Sequence, residues 1–122
     1  MQFNSKYRVL KTSWGIAIDI EATLDEVNSD KNILTISEQS LTPNEKEQII
    51  MGLESVLTQS DLKNKSYTID IRKVWFNPCD FQLEGLYWAS RDWLFKALNI
   101  MTTEPEISFD KALNKYFFQL HS

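Results

Sequence analysis

The residues that could do chemistry in this sequence are a cysteine and two carboxylates that follow a strand-like aromatic run. Residues 75–86 read WFNPCDFQLEGL, which places Cys79, Asp80 and Glu84 close together. Asp80 and Glu84 are four residues apart, so on a helix their carboxylates would share one side and could bind one divalent metal ion. Two carboxylates without further ligands are a weak metal site, and a cysteine before a helix start gains at most a stabilised thiolate.

Other catalytic groups are missing. The single histidine, His121, is the penultimate residue, where we expect fraying rather than a positioned general base. One histidine and one cysteine cannot complete a usual zinc site, and no phosphate-binding loop or dinucleotide fingerprint occurs. We therefore expect no catalytic residue, no metal and no cofactor, and predict that the protein is not an enzyme. A small enzyme that uses Asp80 and Glu84 is the alternative.

The same stretch has a purely structural interpretation. Pro78 lacks an N–H group and biases Asn77 away from helix, so the preceding strand must end there. Asp80 is then placed as the N-cap of a helix over residues 81–100, with Glu84 near the positive end of that helix. We favour this role over a catalytic one.

Length and composition predict a single domain over residues 1–122. The chain is 43% hydrophobic and 25% charged, an ordinary mixture for a folded domain. No apolar run approaches the roughly 18 residues that a membrane helix needs, and the first eleven residues lack an apolar leader. A lone cysteine favours a reducing compartment. We expect a cytoplasmic protein without a membrane partner, monomeric or weakly dimeric when free.

The acidic residues are concentrated in one segment. The net charge is −4, and residues 19–54 contain nine acidic residues against two lysines. The negative electrostatic field of this segment disfavours binding of nucleic acid and favours a basic protein partner. A merely solubilising surface is an equal alternative. The acidic candidates for partner contact are Asp19, Glu21, Asp25, Glu26, Asp30, Glu38, Glu47 and Glu54.

The first half of the chain has clear strand and helix patterns. Residues 7–24 alternate with a period of two and predict a hairpin in which Val9 faces Ile16, Tyr7 faces Ile18 and Lys6 faces Asp19 around a Thr12–Ser13 turn. A short strand follows at residues 32–37. A helix over residues 43–58 is indicated by Thr42 as N-cap, Pro43 in the first turn and Glu45 closing a capping box. Residues 66–76 predict a long strand whose alternation breaks near Arg72–Lys73, which indicates either a bulge or an edge strand.

The predicted second helix carries a second candidate surface. Trp88 and Phe95 are seven residues apart, on the side that should face water, among Glu84, Arg91 and Asp92. Aromatic residues flanked by charges indicate either a recognition surface, with Trp88 as its anchor, or a contact covered by the C-terminal segment. Residues 110–120 suit either a helix or a strand.

The order of elements predicts an α+β fold. Three consecutive antiparallel strands followed by helix, strand and helix give a two-layer β-β-β-α-β-α domain, with helices on one face of a mainly antiparallel four-stranded sheet and a short C-terminal helix or strand. This order resembles domain 2 of ribosomal protein S5 and the fourth domain of translocation elongation factors. That likeness concerns topology and says little about function.

A second resemblance concerns function. Residues 75–93, WFNPCDFQLEGLYWASRDW, together with the small size, the acidity and the missing catalytic groups, resemble immunity proteins of bacterial polymorphic toxin systems, including contact-dependent growth inhibition. The resemblance implies a stoichiometric inhibitor that binds a cognate toxin domain, commonly a basic nuclease, inside the cell that makes it. A non-catalytic subunit of a larger complex is the other alternative.

Overall fold

The computed structural model describes residues 1–120. Two short 3-10 turns, Ser60–Leu62 and Pro78–Asp80, flank the fourth strand. The strands and helices, in chain order, are β1 (Gln2–Leu10), β2 (Gly15–Val27), β3 (Ile33–Ile36), α1 (Pro43–Leu57), β4 (Ser66–Phe76), α2 (Gly85–Leu98), β5 (Glu106–Asp110) and β6 (Lys115–Gln119).

The predicted fold class is confirmed: the fold is a two-layer α+β arrangement. Four strands form one sheet in the order β1-β2-β4-β3. β1 pairs antiparallel with β2, and β2 pairs antiparallel with β4, whereas β3 pairs parallel with β4. The third strand therefore does not continue an antiparallel series as expected, because α1 carries the chain from β3 to β4 as a crossover, and such a connection returns the chain in the same direction.

The predicted hairpin register is confirmed at every position. Val9 lies opposite Ile16, Tyr7 opposite Ile18 and Lys6 opposite Asp19. Pairing ends at the Leu10–Gly15 pair, so the connecting loop has four residues, 11–14, rather than two. The predicted turn is thus too short, while the register that decides which side chains are buried is right.

The break of alternation in β4 is a bulge, one of the two predicted alternatives, and β4 is not an edge strand because it lies between β2 and β3. Glu21 of β2 pairs with Lys73 and Ala22 pairs with Ile71, which leaves Arg72 as the extra residue. The bulge reverses the alternation, so that Val74 is buried and Trp75 is exposed.

Helix α1 begins as its sequence predicts. The Thr42 hydroxyl accepts the N–H of Glu45 at 3.2 Å, and the Glu45 carboxylate accepts the N–H of Thr42 at 2.8 Å. The buried side of the helix carries Ile49, Gly52, Leu53, Val56 and Leu57. These side chains meet α2 and the inner face of the sheet in one hydrophobic core.

Helix α2 starts later than predicted, and the N-cap assignment of Asp80 is wrong. Asp80 closes the 3-10 turn by donating its backbone N–H to the carbonyl of Asn77 at 2.8 Å. The backbone of Phe81 is then extended. The Phe81 ring stacks on the Phe76 ring, with 3.9 Å between the ring centroids. The helix begins only at Gly85, and it ends at Leu98 before Asn99 in the left-handed region.

The C-terminal segment is a β-hairpin. β5 and β6 pair antiparallel from Glu106–Gln119 to Asp110–Lys115 and form a separate two-stranded sheet. This settles the open alternative between helix and strand in favour of strand. The expectation concerning His121 lies outside the described residues.

Candidate functional site

The stretch between β4 and α2 holds the C-terminal hairpin in place. The Gln82 side-chain amide donates to the backbone carbonyl of Tyr116 at 2.7 Å, and its carbonyl oxygen accepts the Tyr116 N–H at 2.8 Å. Next to this pair, the Lys115 ammonium lies 3.0 Å from the Glu84 carboxylate. Glu84, one of the three residues that first suggested chemistry, thus forms with Gln82 a clamp on β6.

The ring of Tyr116 completes the attachment. Its hydroxyl donates to the carbonyl of Trp14 at 2.6 Å and accepts the N–H of Lys11 at 2.9 Å. The ring also meets Trp14 and Phe109 edge to face, with centroids 5.0 Å and 4.9 Å away. Because Trp14 and Lys11 belong to the β1–β2 loop, β6 joins that loop to the start of α2.

The ionisation of Glu84 depends on this clamp. Burial alone would raise the pKa of its carboxyl, but hydrogen bonds from its own backbone N–H and from Lys115 and Gln82, with the Lys115 charge, lower the pKa below its ordinary value of 4.5. A depressed pKa in the folded state stabilises the fold above the ordinary value, and this stabilisation is lost as pH falls through the folded pKa.

The pH dependence of stability should therefore differ in a Glu84→Gln variant. At pH 7 we expect wild type to exceed the variant by less than about 1 kcal/mol, because the ion pair is partly exposed. The difference should shrink as pH falls below the ordinary pKa and Glu84 becomes protonated. Urea unfolding at several pH values from neutral to strongly acidic measures it. A difference that stays constant across this range would contradict the assigned role of the ion pair.

The predicted aromatic surface on α2 is mostly covered. Phe95 is 3% exposed and Arg91 is 7% exposed, and the Arg91 guanidinium lies 5.4 Å from the ring centroids of both Trp88 and Phe95. Its terminal nitrogen donates to the Ser55 hydroxyl of α1 at 2.7 Å. Trp88 is half-buried and stacks on Phe118 of β6 at 5.3 Å. The C-terminal segment therefore covers Trp88, while Ser55 of α1 holds Arg91, and the cluster fits the alternative of a covered contact better than that of a recognition surface.

The two carboxylates predicted for that surface are engaged with lysines of the chain. Asp92 lies 2.9 Å from Lys96 one turn along α2, and Glu84 is held by Lys115 as described above. Asp92 also lies close to Tyr7, where burial, and then the charges of Asp92 and Glu104, raise the pKa of the Tyr7 hydroxyl. These side chains belong to the packing between α2 and its neighbours.

Replacement of Trp88 by alanine should destabilise the free protein. The indole contributes a stacked contact with Phe118 and a cation–π contact with Arg91. Because the residue is only half-buried, we expect a loss of about 2 kcal/mol, below the roughly 3–5 kcal/mol of a fully buried tryptophan. Chemical unfolding measures the change. A variant as stable as wild type would restore Trp88 as a candidate for partner contact.

The structure divides the predicted acidic residues between two layers. Glu47 and Glu54 lie exposed on α1, in the helical layer. Asp19 and Glu21 point the opposite way from the buried side chains of β2, and Asp25 and Glu26 follow at the end of that strand. Asp30 and Glu38 lie in the loops that precede and follow β3, where the Glu38 carboxylate accepts the N–H of Val74 at 3.3 Å. Three acids of β2, Asp19, Glu21 and Asp25, form the larger group on one surface.

Asp19, Glu21 and Asp25 lie on the sheet face opposite the helices, which we call the uncovered face, whereas Glu26 alternates to the side of the buried residues and pairs with Tyr67. Side chains on this face are exposed or half-exposed, in contrast to the buried inner side chains of the same strands. The uncovered face comprises Lys6, Arg8, Asp19, Glu21, Thr23, Asp25, Asp70, Lys73 and Trp75.

Trp75 is the prominent apolar residue of the uncovered face. It is 50% exposed, lies opposite Asp19 in the sheet register, and has the Lys73 ammonium 5.7 Å from its ring centroid. Beside it is an open hollow of about 610 Å³, lined in part by Arg8, Phe76 and Pro78. Trp75 was not among the candidates selected from the sequence. The signal that could have found it is the bulge at Arg72, which moves Trp75 to the outer side of β4.

Charges near Trp75 are largely paired within the sheet, and Asp25 farther along β2 is paired with the N-terminal ammonium at 2.9 Å. Arg8 lies 2.7 Å from Asp19. Asp70 accepts hydrogen bonds from the hydroxyls of Thr35 and Ser37. Within residues 1–120, no ion pair within 4.0 Å involves Glu21 or Glu26. Glu21 is thus a carboxylate without an ion pair on the uncovered face, and Glu26 is one at the exposed end of β2.

Metal ligands are not clustered in the part of the chain that the structure describes. Across these residues, no group of three or more histidine, cysteine or acidic side chains is arranged to hold a metal ion. Cys79 is exposed. Neither α1 nor α2, nor any other helix in residues 1–120, has the length and apolar character needed to cross a bilayer.

Comparisons with known proteins bear on the fold alone. No protein-family model matches the sequence, and no curated protein matches it. Among solved structures, the chain is similar to a crystal structure described as ttk003000868 from Thermus thermophilus, with a TM-score of 0.56 and 13% sequence identity. The match covers 74% of this chain but only 14% of the other. At this identity the likeness supports the architecture and not an activity.

Proposed function

We propose that the protein is a stoichiometric inhibitor that binds a basic protein, acting in the cytoplasm as an immunity protein for a cognate toxin nuclease. The observation that carries the proposal is the set of acidic side chains of β2, of which Asp19 and Glu21 lie on the uncovered face and Asp25 and Glu26 at the exposed end of the strand. A nuclease needs basic residues to hold phosphates, so carboxylates on an accessible surface suit its cleft. The resemblance of residues 75–93 to immunity proteins supports the same class.

The proposal gives Asp80 and Glu84 no catalytic part. The ion pair between Glu84 and Lys115 supports a structural role for one of the two carboxylates that an enzyme would need. The enzyme alternative would be favoured by a metal-dependent activity of the purified protein that a Glu84→Gln variant lacks.

Co-expression with the toxin domain encoded by a neighbouring gene tests the proposal. We expect restored growth of cells that produce the toxin domain, and a one-to-one complex on size-exclusion chromatography. If the protein neither rescued growth nor formed a complex, the proposed immunity function would be contradicted.

Association with that toxin domain should depend on salt and on the free carboxylates. A Glu21→Gln, Glu26→Gln double variant should associate about tenfold more slowly at low ionic strength, with a smaller change in dissociation rate, because charges mainly steer encounter. Stopped-flow kinetics at two salt concentrations measures both rates. A Glu47→Gln, Glu54→Gln variant on α1 is the matched control, and equal slowing in both variants would show a general charge effect without a preference for β2.

A further inference from the structure

We infer that the C-terminal hairpin, β5 and β6, is a cover that opens as one unit while the rest of the fold stays intact. The inference goes beyond the proposed function and does not depend on it. β5 and β6 pair with each other, and within residues 1–120 neither of them pairs with a strand of the four-stranded sheet. The hairpin can therefore move away without breaking any strand pairing of that sheet.

The hydrophobic core is nearly complete without the hairpin. Its largest fully buried side chains belong to β2, α1, β4 and α2, and Tyr116 of β6 is the exception. The other inward side chains of the hairpin, Ile107, Phe109 and Phe118, are only partly buried. Opening thus removes one fully buried ring from the core, so it requires less free energy than global unfolding.

Side chains, and not strand pairing, fasten the hairpin to the rest of the fold. Gln82 forms two hydrogen bonds with the backbone of Tyr116, and the Tyr116 hydroxyl bonds to the β1–β2 loop. Asn114 accepts the indole N–H of Trp14 at 2.9 Å, and the residue between Asn114 and Tyr116 carries the ion pair described above. Three consecutive residues share these polar contacts, so the contacts break together when the hairpin leaves.

The connection between α2 and β5 can serve as the hinge. In the described part of the chain, no hydrogen bond ties residues 101–105 to a helix or to the four-stranded sheet. Met101 is 95% exposed, and Asn99, in the left-handed region, has already ended α2 before this segment begins. A small hollow, lined in part by Tyr7 and Arg91, separates the segment from α2. Changes in a few backbone dihedral angles there would move the hairpin without disturbing the helix.

Opening would expose two tryptophans of the remaining fold. The ring of Trp14 meets Tyr116 and Phe109 of the hairpin edge to face, and the ring of Trp88 stacks on Phe118. Both tryptophans lose these contacts in the open state and become accessible to water. The hairpin therefore controls the exposure of the aromatic side of α2.

Hydrogen exchange of individual amides in two variants tests the inference. Ile69 is fully buried in β4 and lies opposite Leu24, at the end of β2 away from Trp14. In Ile69→Val, the slowest amides of β2 and β4 should exchange about 2- to 12-fold faster, because the substitution favours the unfolded state. Amides of β5 and β6 should keep their wild-type rates, because residue 69 has the same surroundings in the closed and open states.

The second variant removes a fastening of the hairpin. Gln82→Ala weakens the closed state alone, so amides of the hairpin and of the core should exchange faster by the same factor, at least about fivefold. Nuclear magnetic resonance measures both sets of amides, at a pH where closing is faster than exchange.

Three results would overturn the inference. Equal acceleration of hairpin and core amides in Ile69→Val would mean that the hairpin opens only on global unfolding. Wild-type hairpin rates in Gln82→Ala, with faster core exchange, would mean that the strands fray separately from their fastening. Hairpin amides that exchange as fast as those of an unfolded peptide in wild type would mean that the cover does not close.

Discussion

Replacement of Trp93 by alanine is expected to lower the free energy of unfolding by about 3–5 kcal/mol. Trp93 is fully buried in the core between α2 and the sheet. Its indole N–H donates to the carbonyl of Phe3 at 2.8 Å, and its ring meets Phe3 edge to face with centroids 6.4 Å apart. The variant loses apolar burial, leaves a cavity and removes the donor for a β1 carbonyl. Urea unfolding followed by circular dichroism measures the loss.

Two further variants separate the contributions. Trp93→Phe keeps an aromatic ring but removes the N–H donor, so we expect an intermediate loss of about 1–3 kcal/mol. Trp75→Ala removes the same side chain from the uncovered face and should cost less than about 1 kcal/mol, because the ring is half-exposed. If the Trp75 and Trp93 variants lost equal stability, the assignment of Trp75 to the exposed face and of Trp93 to the core would fail.

Elements that depend on local patterns could be predicted from the sequence. Alternating side chains fix the register of β1 and β2, since a slip of one residue would expose Ile16 and Ile18. The capping box marks the start of α1, and its two residues, Thr42 and Glu45, are only three positions apart in the sequence. The bulge at Arg72 is visible as a break in alternation. In each case the deciding chemistry lies within a few residues.

Features that depend on distant partners could not be predicted. Gln82 bonds to Tyr116, which is 34 residues away, and nothing near Gln82 in the sequence indicates that contact. The same contact explains why Asp80 is not a helix cap, because the chain must present Gln82 and Glu84 to β6 before α2 begins. The parallel pairing of β3 is set by the route of α1, and not by the four residues of the strand.

The candidate site shows the same division. The acids of β2 could be selected from the sequence because charge is counted without a structure. Helical periodicity favours Trp88 over Trp75 because it places Trp88 toward water, but the cover that Phe118 provides comes from another part of the chain. Exposure of an aromatic residue is a property of the whole fold.

Replacement of Gly52 by alanine should destabilise the protein although alanine is the better helix former. In a free helix the change would stabilise by about 1 kcal/mol. In this fold, a Cβ atom at position 52 would overlap the backbone carbonyl oxygen of Tyr87 and lie 3.1 Å from the Cβ of Ser90. A backbone oxygen inside α2 cannot rotate away, so α1 and α2 must move apart. Overpacking of this kind costs roughly 1–3 kcal/mol or more, and we expect a net loss of about 2 kcal/mol.

Separation of the helices would also stretch the bond between Arg91 on α2 and Ser55 on α1, now 2.7 Å long. Arg91 would then keep its aromatic contacts but lose a hydrogen-bond acceptor in a buried site, which adds to the cost. Met51→Ala, one residue earlier on the exposed side of α1, changes neither contact and should stay within about 0.5 kcal/mol of wild type. Thermal and urea unfolding of both variants measure the difference. A Gly52→Ala protein more stable than wild type would mean that helix propensity prevails and that the two helices can adjust without loss at their closest approach.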